Sequence, residues 1–198
     1  MSDLPSVFLA RHGETEWSLS GRHTGLTDLN LTERGVQAAR GLGERLKEAT
    51  FDRVFTSPLR RASETCRLAG FGDRAEIDRD LVEWDYGKYE GLKSVEIRAL
   101  APGWNLFRDG CPGGESVADI SSRADRVIHK VRGFGGRILL FSSGHFLRVL
   151  ASRWLDSRPD PMAAFLLLGT TSLSILSYEH DLQHPALSLW NDTGSLPR

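Results

Sequence analysis

The sequence predicts an α/β fold, a three-layer sandwich with a mostly parallel central sheet and a C-terminal strand pair. Three observations predict it. Short strands recur at residues 7–10, 51–56 and 137–141, the first and last with continuous apolar runs at 7–10 and 138–141, as in strands buried on both faces. Segments of helical period separate them. Two strand-like stretches, 171–178 and 186–190, end the chain around a turn.

Each element follows from local chemistry. Val7-Phe8-Leu9-Ala10 is a short strand that ends in the polar run Arg11-His12-Gly13. Open α/β sheets hold ligands at such carboxyl ends. Residues 18–30, rich in Gly, Ser, Thr and Asn, read as a loop. Thr32 caps a helix to about Glu48, with Val36, Ala39, Gly43 and Leu46 as its apolar stripe. After the second strand, Ser57-Pro58 reads as a cap followed by proline at the first helical position, opening a helix over 59–68. That helix carries Arg60 and Arg61 in its first turn. Cations there oppose the macrodipole and are better tolerated beside a bound anion. Residues 76–78 read as a third strand. The stretch 84–114 is long, irregular and rich in glycine and aromatics, with one helix from Ser94, and so long a loop is usually functional. Residues 116–131 form a helix with Val117, Ile120, Ala124, Val127, Ile128 and Val131 on one face. Ser142-Ser143-Gly144 closes the next strand, and a helix runs on through Trp154. With no repeat or linker, residues 1–198 read as one domain.

Bulk properties narrow the function classes. The 198 residues are 40% apolar and 26% charged, with net charge −1. That balance offers no footprint for nucleic acid or an anionic membrane. No segment reads as a signal or a membrane span, so a cytoplasmic protein is expected. Two cysteines, Cys66 and Cys111, make no disulfide framework. Neither has an arginine six residues on, which excludes a cysteine-phosphatase loop. Asp78-Arg79-Asp80 lacks the strand an aspartyl phosphatase needs. His180 and His184 fall in a turn and read as solvated. No cluster has zinc-site spacing, and no metal or cofactor is expected.

Arg11-His12-Gly13 has the chemistry of phosphoryl transfer. An imidazole at a strand end can attack phosphorus, an arginine fork can hold phosphate oxygens, and glycine admits close backbone approach. Alone, three residues decide nothing. The longer string does more: Arg11-His12-Gly13-Glu14-Thr15-Glu16-Trp17, then Gly21-Arg22-His23-Thr24-Gly25-Leu26-Thr27-Asp28, then Leu31-Thr32-Glu33-Arg34-Gly35. Further on come Thr56-Ser57-Pro58-Leu59-Arg60-Arg61-Ala62, Leu81-Val82-Glu83-Trp84-Asp85-Tyr86-Gly87 and Gly113-Gly114-Glu115-Ser116. In this order the blocks resemble the histidine phosphatase superfamily, which includes the phosphoglycerate mutases, over about residues 7–178.

The resemblance implies a phosphoglycerate mutase-like fold and a set of roles. His12 would become phosphohistidine, Arg11 and Arg60 would clamp the phosphate, and Glu83 would protonate the leaving oxygen and then activate water. Ser18, Thr24, Gly25, Trp84, Tyr86, Gly144 and His145 would line the phosphate and substrate pocket. One block departs from the family pattern. In Phe141-Ser142-Ser143-Gly144-His145-Phe146-Leu147-Arg148 the glycine and the arginine set the register, and Ser143 then stands where the family carries its second catalytic histidine. Losing one strong donor at a developing charge typically costs ~10²–10³ in rate. Three accounts fit: a weakly active or repurposed protein, compensation by His145, or a variant that traps a bound ester.

The short segment between Glu83 and Gly114, together with Leu26-Thr27-Asp28-Leu29 and the run from Trp104 to Glu115, resembles the branch with sedoheptulose-bisphosphatase and broad-specificity acid phosphatases. The expectation is a phosphomonoesterase acting on a small phosphorylated metabolite, most simply a sugar phosphate, with Arg108, Lys88 and Lys93 as candidates for a second anionic group. Mutase-type phosphoryl transfer and a low-turnover phosphate-ester binding protein are the alternatives. Oligomeric state is not legible.

Overall fold

A computed structural model describes residues 4–194. Six strands form one sheet in the order β3-β2-β4-β1-β5-β6. They are β1 Ser6–Arg11, β2 Arg53–Thr56, β3 Ala75–Ile77, β4 Arg137–Ser142, β5 Leu173–Tyr178 and β6 Pro185–Asp192. The first four run parallel, while β5 pairs antiparallel with both β1 and β6. This is the mostly parallel sheet with a C-terminal antiparallel pair that the sequence predicts.

The continuous apolar runs have a direct explanation. Side chains alternate across a strand, so both faces must be covered. Val7 and Leu9 enter one apolar cluster with Ile138, Leu140 and Leu176, whereas Phe8 and Ala10 enter the other with Leu139, Phe141 and Leu173. The first cluster is closed by α6 (Val117–Phe134) and α7 (Gly144–Trp154), the second by α2 (Glu33–Leu46) and α3 (Arg60–Leu68).

Of the two caps read from sequence, Thr32 stands and Ser57 does not. Thr32 Oγ1 accepts the Gly35 N–H, and Ser116 forms a capping box with Asp119 at the head of α6. Four readings need correction. The segment read as a loop from 18 to 30 begins inside α1 (Glu16–Ser20), nucleated by a Thr15–Ser18 capping box. In α2 the buried face is Gly35, Ala39, Leu42 and Leu46, because Val36 and Gly43 lie one step off the stripe. The α3 helix starts at Arg60 with Leu59 at the N-cap and no side-chain cap, so Pro58 lies outside it. The irregular stretch holds two short helices rather than one, α4 (Ser94–Leu100) and α5 (Leu106–Asp109), and α8 (Pro159–Phe165) follows α7.

Candidate active site

The register of β1 against β4 builds the site. Arg11 pairs with Ser142, and the His12 N–H donates to the Ser142 carbonyl at 3.0 Å. Because the strands are parallel, residues 12 and 143 leave the sheet side by side at its carboxyl edge. A cavity of about 220 Å³ opens there, lined by Arg11, His12, Glu83, Tyr86, Gly144 and His145 among others.

His12 is buried, and its Nδ1 lies 2.7 Å from the Gly13 carbonyl. A carbonyl only accepts, so Nδ1 carries the hydrogen and Nε2 holds a lone pair. Burial, together with the positive charges of Arg11 and Arg61, holds the His12 pKa well below its ordinary value. The ring is therefore neutral at pH 7, the state in which an imidazole can attack phosphorus. Gly13 is required by space: a Cβ would stand 2.7 Å from the Gly35 carbonyl oxygen.

Arg11 lines the cavity, and its Nη1 donates to the Leu168 carbonyl. Its Nε is buried without a protein partner. Burial lowers its pKa, an effect opposed by the charge of Glu83. Gly144 is closely packed on this side chain, because a Cβ there would lie 3.1 Å from that Nε and the guanidinium would have to shift. Arg11 and Gly144 therefore pack as one unit.

Of the two adjacent arginines, the structure turns Arg61 inward and Arg60, the one expected to clamp phosphate, outward. Arg60 points to solvent with its side chain 68% exposed and pairs with Asp28, and neither it nor Arg61 is in the cavity lining. Consecutive helical residues are turned about 100° apart, so only one of the two can face inward. Arg61 is fully buried. Its Nη1 donates to the Thr27 carbonyl, its Nη2 to those of Thr24 and Gly25, and its Nε to Ser143 Oγ at 3.4 Å. Asp28 also accepts the Arg60 N–H at 2.7 Å, which places a carboxylate at the N-terminus of α3 that its own residues do not supply.

Glu83 is buried at the N-terminus of α7. Its Oε1 accepts the N–H groups of Phe146 (2.7 Å) and Trp84 (2.9 Å), and its Oε2 accepts that of His145 (2.9 Å). Three backbone donors thus fix the carboxyl group at the cavity wall. Ser143 is the N-cap of α7, yet its hydroxyl does not cap the helix and instead receives the Arg61 Nε–H.

An aromatic wall completes the cavity. The Tyr86 hydroxyl lies 2.5 Å from His145 Nδ1, and the His145 ring stacks on His23 with centroids 5.6 Å apart. Burial lowers the His145 pKa, with Arg148, His23 and Arg11 adding to the effect, and burial brings His23 down to about 4. Tyr86 is pushed up, first by burial and then by Glu83.

Other expected lining residues divide. Ser18 and Thr24 line the cavity, although the Ser18 hydroxyl is engaged with Thr15. Gly25 and Trp84 lie behind the lining. A Cβ on Gly25 would meet the Trp84 carbonyl oxygen at 2.5 Å, and Trp84 is wholly buried with its Nε1–H on the Glu115 carbonyl. Their part is packing. Lys88, Lys93 and Arg108 do not line the cavity, and Arg108 is paired with Asp109. Arg22, His23, Ser94, Arg148 and Leu168 do line it and were not singled out for that place by the sequence. Cys66 and Cys111 are buried thiols pushed up to about 12, far from reactive thiolates. Among the described residues no group of three or more His, Cys, Asp or Glu could hold a metal ion, and no helix is long and apolar enough to cross a membrane.

The structure thus holds a neutral imidazole at the end of the first strand, with two buried arginines and a carboxyl group fixed by backbone donors in the same region. Residues 7–193 match the model of the histidine phosphatase superfamily (branch 1), and the chain belongs to that superfamily. Its relatives include phosphatases and 2,3-bisphosphoglycerate-dependent phosphoglycerate mutases, among the latter that of Mesorhizobium japonicum at 35% identity, covering 83% of this chain and 88% of that one. The chain is 40% identical to an acid phosphatase of Mycobacterium tuberculosis, covering 91% of this chain and 90% of that one. It is 37% identical to the sedoheptulose 1,7-bisphosphatase of Saccharomyces cerevisiae, covering 93% and 92%. Among solved structures, the product of a Mycobacterium tuberculosis open reading frame superposes with a TM-score of 0.89 at 37% identity, covering 96% of this chain and 98% of that one.

Proposed function

We propose that this protein hydrolyses a phosphomonoester, most simply a sugar phosphate, through a phosphoryl group carried on His12. The observation that carries the reading is the neutral imidazole at the cavity floor, with Nδ1–H bound to the Gly13 carbonyl and Nε2 left as the nucleophile. In the first step Nε2 attacks phosphorus and the ester oxygen leaves, taking a proton from Glu83. In the second, Glu83 takes a proton from water, which displaces His12 and releases phosphate. Arg11, and Arg61 from behind Ser143, stabilise the equatorial oxygens. The match to a sedoheptulose bisphosphatase supports a sugar phosphate as substrate.

Ser143 supports a second reading, in which the site binds and accepts phosphate with little turnover. At the place where the family pattern sets an imidazole stands a neutral hydroxyl that accepts from Arg61. The test is to incubate the protein with p-nitrophenyl phosphate and a panel of sugar phosphates, then measure released phosphate and a phosphate adduct by mass spectrometry. Release with an adduct lost in H12A supports the hydrolase. An adduct without release supports the second reading. Neither signal, or an adduct that survives H12A, overturns the role of His12.

A further inference from the structure

We infer that Thr65 is a positioning residue that holds the His12 backbone in register with Arg61. Four bonds fix the nucleophile. The His12 N–H donates to the Ser142 carbonyl (3.0 Å), the His12 carbonyl accepts the Thr171 N–H (3.1 Å), the next amide, Gly13 N–H, donates to Thr65 Oγ1 (2.9 Å), and the His12 ring is held by the Gly13 carbonyl. Only the third uses a side chain other than that of His12, so it is the one clamp a substitution can remove without breaking the chain.

The Thr65 hydroxyl is fully buried and two-sided. It accepts from Gly13 and donates its own hydrogen to the Arg61 carbonyl at 2.6 Å. A helical threonine bonding the carbonyl four residues back is common and by itself says nothing. Here the same oxygen also receives the loop that bears the nucleophile. One side chain thereby ties the first turn of α3, where Arg61 sits, to the amide beside His12. Removing it leaves a buried N–H unmet and frees the Gly13 segment whose carbonyl selects the Nδ1–H form of the ring. Thr65 touches neither the cavity nor a substrate, so its influence passes through His12.

The inference rests on His12 being the phosphoryl acceptor, and its test separates the two claims. Imidazole ¹⁵N NMR reads the His12 tautomer without any substrate. The wild type and T65S, which keeps the hydroxyl, should show the Nδ1–H form. T65V should show a mixed population and, in single turnover with p-nitrophenyl phosphate, adduct formation slowed about 10- to 100-fold at unchanged KM. A T65V ring that keeps the wild-type tautomer overturns the inference, as does a T65S ring that loses it. If the wild type forms no adduct, the proposed chemistry fails while the tautomer result still decides Thr65. Should T65V not fold, hydrogen exchange on the wild type decides: a Gly13 amide exchanging at the unprotected rate overturns the clamp, and strong protection upholds it.

Discussion

Arg61 donates from Nε to the hydroxyl of Ser143, 3.4 Å away, so a buried cation rests against a neutral side chain at the head of α7. At the end of β4, next to the residue whose carbonyl binds the His12 N–H, stands this hydroxyl rather than an imidazole, while His145 and His23 lie on the aromatic wall of the cavity. S143H should therefore raise the turnover of an aryl phosphate, by roughly 10²–10³ if the added ring donates to the phosphoryl oxygens. Steady-state assays of both proteins with matched folding by circular dichroism check this, and equal rates would assign the rate limit elsewhere.

Arg60 and Arg61 should part company. R60A removes a solvent-exposed pair with Asp28 and should leave stability within about 0.5 kcal/mol and turnover nearly unchanged. R61A strips donors from three carbonyls at once, those of Thr24, Gly25 and Thr27. It should cost roughly 3 kcal/mol or more, a fall in Tm of roughly 10 °C, and abolish phosphoryl transfer. Calorimetry and adduct formation on the two variants give the answer, and similar losses in both would overturn the assignment.

Acid should destabilise the fold through its buried imidazoles. The folded-state pKa of His23 is about 4, below the unfolded value of 6.5, because burial penalises the charged ring. The unfolded chain therefore binds the proton first. Stability is whole above pH 6.5 and falls as pH drops from 6.5 toward 4, by on the order of 3 kcal/mol for this one group. Melting H23F beside the wild type across that window tests it: the variant's Tm should fall less steeply, and parallel slopes would remove His23 from the account.

Two glycines of one helix should respond with opposite signs. A Cβ on Gly35 would stand 2.3 Å from the Glu14 carbonyl oxygen, whereas one on Gly41 meets nothing within 4 Å. G41A should stabilise by about 0.5–1 kcal/mol, the ordinary gain for alanine in a helix. G35A should destabilise by about 1–3 kcal/mol, because backbone must move. Urea midpoints of the two variants would show the split, and a stabilised G35A would contradict the close packing of α2 on the His12 loop.

Much of this was legible because single residues carried it. Thr32 marks a helix start by its hydroxyl, the apolar stripe from Val117 to Val131 marks α6, and the runs at 7–10 and 138–141 mark strands by being apolar on both faces. Arg11, His12 and Glu83 come together from distant blocks because parallel strands open at one edge. Arg60 against Arg61 was not legible from the motif, since a one-residue change in where α3 starts exchanges the inward and outward arginine. A signal did exist. Ala62 and Cys66 are the buried apolar residues of α3, and the face that they define also takes in Arg61 and Thr65, while Arg60 falls outside it. His23, Arg22 and Arg148 were missed as lining residues because they reach the cavity from segments far apart in the chain.

The pairing of β1 with β4 has a consequence for how such a site can change over descent. Residue 143 leaves β4 directly after the residue that pairs with Arg11 and binds the His12 N–H, and backbone bonds put it there whatever its side chain. The scaffold fixes the address, and heredity is free to change the tenant. If the proposed hydrolysis holds, a lineage could retune its rate by altering this one position while the cavity beside it is inherited intact.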